Sequence, residues 1–196
     1  MRMTKPRQKR LIPRVLLILA IFLLLVYLAE NSPWIKRMRY PLVYEEHIRR
    51  YASEYEIDPF LAASVIWVES KFVPDAVSGK DARGLMQIIP STGKWAAEKM
   101  GLSDYQENHL FEPEINIKIG CWYLSFLASQ FPDNVELVIA AYNAGIGNVK
   151  KWLQNREYSS DGMHLDYIPF FETRNYVKEV LKAYEIYKEI YPSLKL

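Results

Sequence analysis

Apolar residues fall along this chain in two regimes. From Val15 to Ala29 they run for fifteen residues without a charge. Beyond about residue 42 they recur at three- and four-residue intervals, the spacing of helices with one buried face. The pattern predicts helices over 44–55, then 59–70 with Asp58 as N-cap and Pro59 in the first turn, and from Pro90 or Ser91 to Gly101. Pro113 opens a longer helix to about Phe131, with Ile115, Ile119, Trp122, Tyr123, Phe126 and Leu127 on its apolar face. Asp133 or Asn134 caps the next helix, Gly145 ends it, and a short helix follows near 148–154. The last, over 172–191, turns Val177, Val180, Leu181, Tyr184 and Tyr187 inward and Lys178, Lys182 and Lys188 outward. Segments 74–84 and 157–166 read as loops. With no strand-period run longer than about four residues, the class is mainly α.

Charge divides the chain in the same way. Six of its 25 basic residues (Arg2, Lys5, Arg7, Lys9, Arg10 and Arg14) precede the uncharged run, leaving 19 basic against 23 acidic residues in the remainder. The net charge of +2 is therefore no basic patch for nucleic acid. A basic tail before an apolar run suits either a spanning helix or a secretory signal. Tyr27 stands where a cleavage site wants a small residue, which favours an uncleaved anchor. The expected organisation is a cytoplasmic tail over 1–14, a transmembrane signal-anchor over 15–29, a connector over 30–41, and an extracytoplasmic domain over 42–196. Cys121 is the single cysteine, so no intramolecular disulfide or lipid-attachment cysteine is expected. His47, His109 and His164 have no zinc-ligand spacing and there is no phosphate-binding loop, so neither metal nor cofactor is expected. Oligomeric state is not legible.

One carboxylate stands out. Glu69 has Val65, Ile66 and Phe72 as helical neighbours, and a carboxylate beside an apolar stripe loses hydration. Desolvation would raise its pKa and suit it to protonate a leaving oxygen. On periodicity alone, the balance leans slightly to a core glutamate satisfied by a tyrosine or by backbone.

Four motifs change that balance. ESKFVPDAVSGKDARGLMQIIPST from Glu69 to Thr92, NIKIGCWYL from Asn116 to Leu124, AAYNAGIGNV from Ala140 to Val149 and IPFFETRNYV from Ile168 to Val177 occur in order. In them the chain resembles the soluble lytic transglycosylase (SLT) catalytic domain of the glycoside hydrolase family 23 type, related to goose-type lysozyme. The resemblance implies a lysozyme-like helical domain acting on peptidoglycan glycan strands, with Glu69 as general acid and then base, and Tyr176 orienting it. It implies sugar contacts from Ser70, Met86, Gln87, Tyr142 and Asn143, the last offering a donor and an acceptor to an N-acetyl group. The chain departs from the family in having Asp81 where a glycine is usual before Ala82, and aspartate tolerates turn conformations.

The resemblance further implies that the substrate supplies what a second carboxylate does in ordinary glycosidases. The muramic N-acetyl group would stabilise the developing charge and the muramic C6 hydroxyl would close a 1,6-anhydro ring. A muramidase that uses water is the enzymatic rival and needs a second carboxylate, for which Asp75, Asp81 and Glu172 are candidates. A glycan-binding wall protein without turnover is the rival from another class.

Overall fold

The computed structural model describes residues 11–196; of the basic tail, Arg2, Lys5, Arg7, Lys9 and Arg10 lie outside them. Chain contacts divide it between Pro41 and Leu42 into two units. The first holds α1 (Leu11–Glu30) and α2 (Pro33–Arg39). Side chains from Val15 to Leu28 are exposed, Val26 at 40% and Ile18 at 66%. Among the described residues no single helix is long and apolar enough to cross a membrane. Segments Pro13–Leu28 and Pro33–Arg39 together reach that length and apolarity as a pair bent by 63°. Helix α2 lies in the expected connector, started by Pro33 in its first turn, where a missing N–H costs nothing.

The regular structure of the second unit is helical apart from two isolated β-bridges, Val77 with Arg83 and Arg83 with Ile88. Its helices are α3 (Glu45–Glu54), α4 (Pro59–Ser70), α5 (Pro90–Met100), α6 (Pro113–Gln130), α7 (Val135–Ala144), α8 (Ile146–Leu153) and α9 (Phe171–Ile190). Two short 3-10 turns, Glu107–Phe111 and Pro192–Leu194, complete it. The expected caps are in place: Asp58 accepts from the Phe60 N–H at 2.8 Å and Asn134 from that of Leu137 at 3.1 Å. Gly101 and Gly145 end α5 and α7 at φ +71° and +84°. Gly145 also opens α8, which therefore starts two residues earlier than the sequence pattern suggests.

Helix α4 is the core element, buried continuously from Pro59 to Ile66. It packs chiefly against α9, and Asp58 fastens the pair by accepting from the Tyr184 hydroxyl at 2.6 Å. On α9 the buried stripe is Thr173, Tyr176, Val177, Val180, Ala183, Tyr187 and Ile190, while Leu181 and Tyr184 are only half-buried. On α6 the buried side carries Asn116, Ile117, Ile119, Gly120, Cys121, Leu124 and Leu127. Trp122, Tyr123 and Phe126, expected in the core, are half-buried: α5 covers that side, and Tyr142 of α7 reaches only Tyr123, with ring centroids 5.5 Å apart. Helix α5 covers it through Trp95, edge-on to the three rings at 5.2, 6.2 and 5.0 Å. Cys121 is fully buried, and desolvation pushes its thiol up to about 12, which makes it inert at neutral pH.

Candidate active site

Helix α4 delivers Glu69 from its last turn and then stops abruptly. Lys71 and Phe72 both adopt left-handed backbone, φ +53° and +64°, so the chain reverses just past the glutamate. Asp81 (φ +59°) and Gln87 (φ +48°) adopt it too in the following loop. Non-glycine residues there cost about 1–3 kcal/mol each and persist only where surroundings over-determine them. Asp81, the departure from the usual glycine, thus occupies the turn conformation that glycine would supply.

Part of the restraint on that loop comes from α6. Asn116, fully buried, donates to the carbonyls of Arg83 (2.9 Å) and Leu110 (2.7 Å) and accepts from the Met86 N–H (2.8 Å). Gly84, at φ +74°, permits the approach: a Cβ there would stand 2.0 Å from the Leu110 oxygen and 2.3 Å from Asn116 Nδ2. Gly120 admits the Met86 side chain in the same way, since a Cβ would meet its Sδ at 2.1 Å. The Tyr142 hydroxyl donates to the Met86 carbonyl at 2.8 Å, tying α7 to the same loop.

These ties shape a cleft of about 360 Å³ lined by Glu69, Gln87, Tyr142, Asn143 and Glu172, with Ser78–Lys80, Ala82 and Ile89 on the loop side. A second depression, of about 540 Å³, shares Lys80, Asn143 and Glu172 with it, so the two form one groove. Lys80 and Glu172 face each other at 3.9 Å on its rims, both largely exposed. Exposed Phe170 and Phe171 edge the second depression.

Glu69 is half-buried at the base of the cleft, and its pKa is raised from 4.5 to about 7. Loss of hydration is the main cause; the Tyr176 hydroxyl partly opposes it, and the negative Glu172 adds to it. The neighbours that flagged Glu69 in the sequence, Val65, Ile66 and Phe72, are all buried. Tyr176, on α9, is buried with its hydroxyl lacking any hydrogen-bond partner of ordinary length. It acts on Glu69 as a longer-range donor that favours the carboxylate, a contact of the sort that tightens when substrate closes a site.

Of the residues singled out in the sequence, the fold gathers Glu69, Gln87, Tyr142 and Asn143 in the cleft with Tyr176 behind the acid. Ser70 and Met86 do not line it. The Ser70 hydroxyl is buried, 2.7 Å from the Leu85 carbonyl and 3.2 Å from that of Ile66, so it fastens α4 to the loop. Met86, fully buried, serves the site through its backbone. Gln87 spends its amide N–H groups on the Ala76 and Gly84 carbonyls at 3.0 and 2.9 Å. Asn143 Oδ1 accepts from the Thr173 hydroxyl at 2.7 Å, a partner that sequence reading missed. Of the candidate second carboxylates, Asp81 is paired in two bonds of 3.0 Å with Arg83 and Asp75 is exposed outside the cleft; only Glu172 lines it. Among the described residues no group of three or more His, Cys, Asp or Glu side chains is placed to hold a metal ion.

The family model described as the transglycosylase SLT domain matches residues 46–163. The soluble lytic murein transglycosylase of Escherichia coli (strain K12) is 40% identical over 151 residues, 76% of this chain and 23% of that protein. The membrane-bound lytic murein transglycosylase C of Actinobacillus pleuropneumoniae serotype 5b is 32% identical over 164 residues, 73% of this chain and 45% of that one. The crystal structure of the 70 kDa soluble lytic transglycosylase from Escherichia coli superposes with a TM-score of 0.72 at 34% identity, over 83% of this chain and 27% of that one. An inactive glutamate-to-glutamine mutant of the lytic transglycosylase Slt from Pseudomonas aeruginosa superposes at 0.70 and 33% identity, over 83% and 26%. The chain thus spans about a quarter of the length of the soluble relatives.

Proposed function

The chain belongs to the transglycosylase SLT domain family, and from that premise we propose that it is a peptidoglycan lytic transglycosylase cleaving the β-1,4 bond between N-acetylmuramic acid and N-acetylglucosamine. The observation that carries the reading is Glu69, an acid in a groove that keeps its proton to about pH 7. Protonated Glu69 gives its proton to the bridging oxygen as the bond to the muramic anomeric carbon breaks. The carbonyl oxygen of the muramic N-acetyl group attacks that carbon and holds its positive charge. Ionised Glu69 then removes the proton of the muramic C6 hydroxyl, whose oxygen displaces the acetamido oxygen at the anomeric carbon. The products are a 1,6-anhydromuramic end and a free N-acetylglucosamine end; no water is consumed and Glu69 recovers its proton. Tyr176 orients the carboxylate, and Tyr142, Gln87 and Asn143 hold the sugars. Replacing Glu69 by Gln tests this: turnover of purified sacculi should fall below detection with the fold intact, and retained turnover would remove Glu69 from its role.

A hydrolase using water is favoured by one observation, that Glu172 lines the same cleft. Against it, the Glu172 side chain is 76% exposed and turned toward Lys80, where bulk water competes for it. The further proposal is a membrane tether: residues 15–29 as a single-pass anchor with the domain outside. Its support is the exposed apolar surface from Val15 to Leu28 and the basic residues before it.

A further inference from the structure

Asn143 lies in the last turn of α7 and lines both depressions of the groove, so whichever end of its amide faces outward meets the sugar. An amide side chain has a donor end and an acceptor end and takes whichever orientation its surroundings dictate. Here the surroundings are Thr173, in the first turn of α9, with 2% of its surface exposed and its Oγ1 2.7 Å from Asn143 Oδ1. Two oxygens at that distance require the hydroxyl to donate and the amide carbonyl to accept. In the opposite orientation the amide N–H could donate to the hydroxyl oxygen, but the buried hydroxyl hydrogen would lose its acceptor, since among the described residues Thr173 Oγ1 donates to Asn143 Oδ1 alone. Among the described residues no protein group accepts from Asn143 Nδ2.

We infer that Thr173 is a positioning residue for sugar recognition: its buried hydroxyl holds the Asn143 carbonyl inward, so that the groove is met by the amide N–H groups. The site then presents a donor to an oxygen of the bound sugar, an acetamido carbonyl or a hydroxyl. It no longer offers the evenly matched donor and acceptor that an unrestrained asparagine would. The bond also links the end of α7 to the start of α9, two elements that form one wall of the groove.

This rests on the transglycosylase reading, and the test separates the two. Thr173→Val keeps the shape and removes the donor; Thr173→Ser keeps the donor. With sacculus-derived glycan strands as substrate, Thr173→Val should raise KM about tenfold with a smaller change in kcat, the scale of one lost polar contact. Thr173→Ser should restore the wild-type KM, and the pH profile, which is set by Glu69, should not move. In an Asn143→Ala background, Thr173→Val should have no further effect, because Thr173 acts only through Asn143. Equal losses from the Val and Ser variants, additive losses with Asn143→Ala, or a shifted pH profile would overturn the inference. A wild-type chain without turnover would overturn the transglycosylase reading, and the inference with it.

Discussion

Replacing Glu69 by Gln should stabilise the protein, and by an amount that depends on pH in a defined way. In the folded chain Glu69 holds its proton to about pH 7, whereas its unperturbed value is 4.5. Between those values the unfolded chain has released the proton and the folded chain has not. The native state binds more protons there, and stability falls as pH rises. Below 4.5 both states are protonated and the effect vanishes; above about 7 it is fully expressed. At about 1.4 kcal/mol for each tenfold change in proton affinity, that gap amounts to about 3 kcal/mol of destabilisation at pH 8. Glutamine has the same shape and no charge to desolvate. Urea denaturation of wild type and variant in parallel from pH 4 to 8 should therefore give curves that nearly coincide at the acid end. By pH 8 the variant should be more stable by about 3 kcal/mol, which in a parallel thermal scan corresponds to about 6–12 °C in Tm for a domain of this size. Other titrating groups cancel in the difference. A constant offset across the range, or a variant less stable at pH 8, would refute the claim that the groove desolvates a functional acid at the expense of stability.

The same acid sets the pH dependence of turnover: it must be protonated to begin, so the rate should fall as pH rises through about 7. Tyr176→Phe removes the group that favours the carboxylate, so that falling limb should move to higher pH, and kcat on the acid side should drop about tenfold from lost orientation. Stability should hardly change in that variant, because the buried hydroxyl makes no hydrogen bond of ordinary length, and a large loss in thermal unfolding would count against this placement. Asn116→Ala strands the Met86 N–H and the Leu110 carbonyl and takes from the Arg83 carbonyl one of its two donors, the other being the Ile88 N–H at 3.0 Å. Denaturant titration should show a loss of about 3 kcal/mol or more, and a loss under 1 kcal/mol would mean that the loop does not depend on Asn116.

What the sequence exposed and what it concealed follow from the range of the forces involved. Helix ends were readable because their determinants are local: Asp58 with Pro59, Asn134, Gly101 and Gly145 each act within a few residues. Helix α2 escaped because a seven-residue helix offers no period to detect. Glu69 was visible because a charge in an apolar stripe is a conflict within one helix. Ser70 and Met86 lie beside residues that line the cleft, yet successive side chains point about 100° apart on a helix, as at Glu69 and Ser70, and diverge again in the loop, as at Met86 and Gln87. Sequence proximity therefore could not tell cleft from core. Asn116 lies thirty residues from the Met86 N–H it accepts from, and Thr173 the same distance from Asn143, so nothing local announces either bond.

The most direct test of the central claim is the mass of the product. Purified sacculi digested by the wild-type chain and analysed by mass spectrometry should yield muropeptides ending in 1,6-anhydromuramic acid, lighter by one water than the corresponding reducing-end species, and Glu69→Gln should yield none. Reducing ends alone would contradict the account: the C6 hydroxyl would not be the acceptor, and Glu172 would become the base for water.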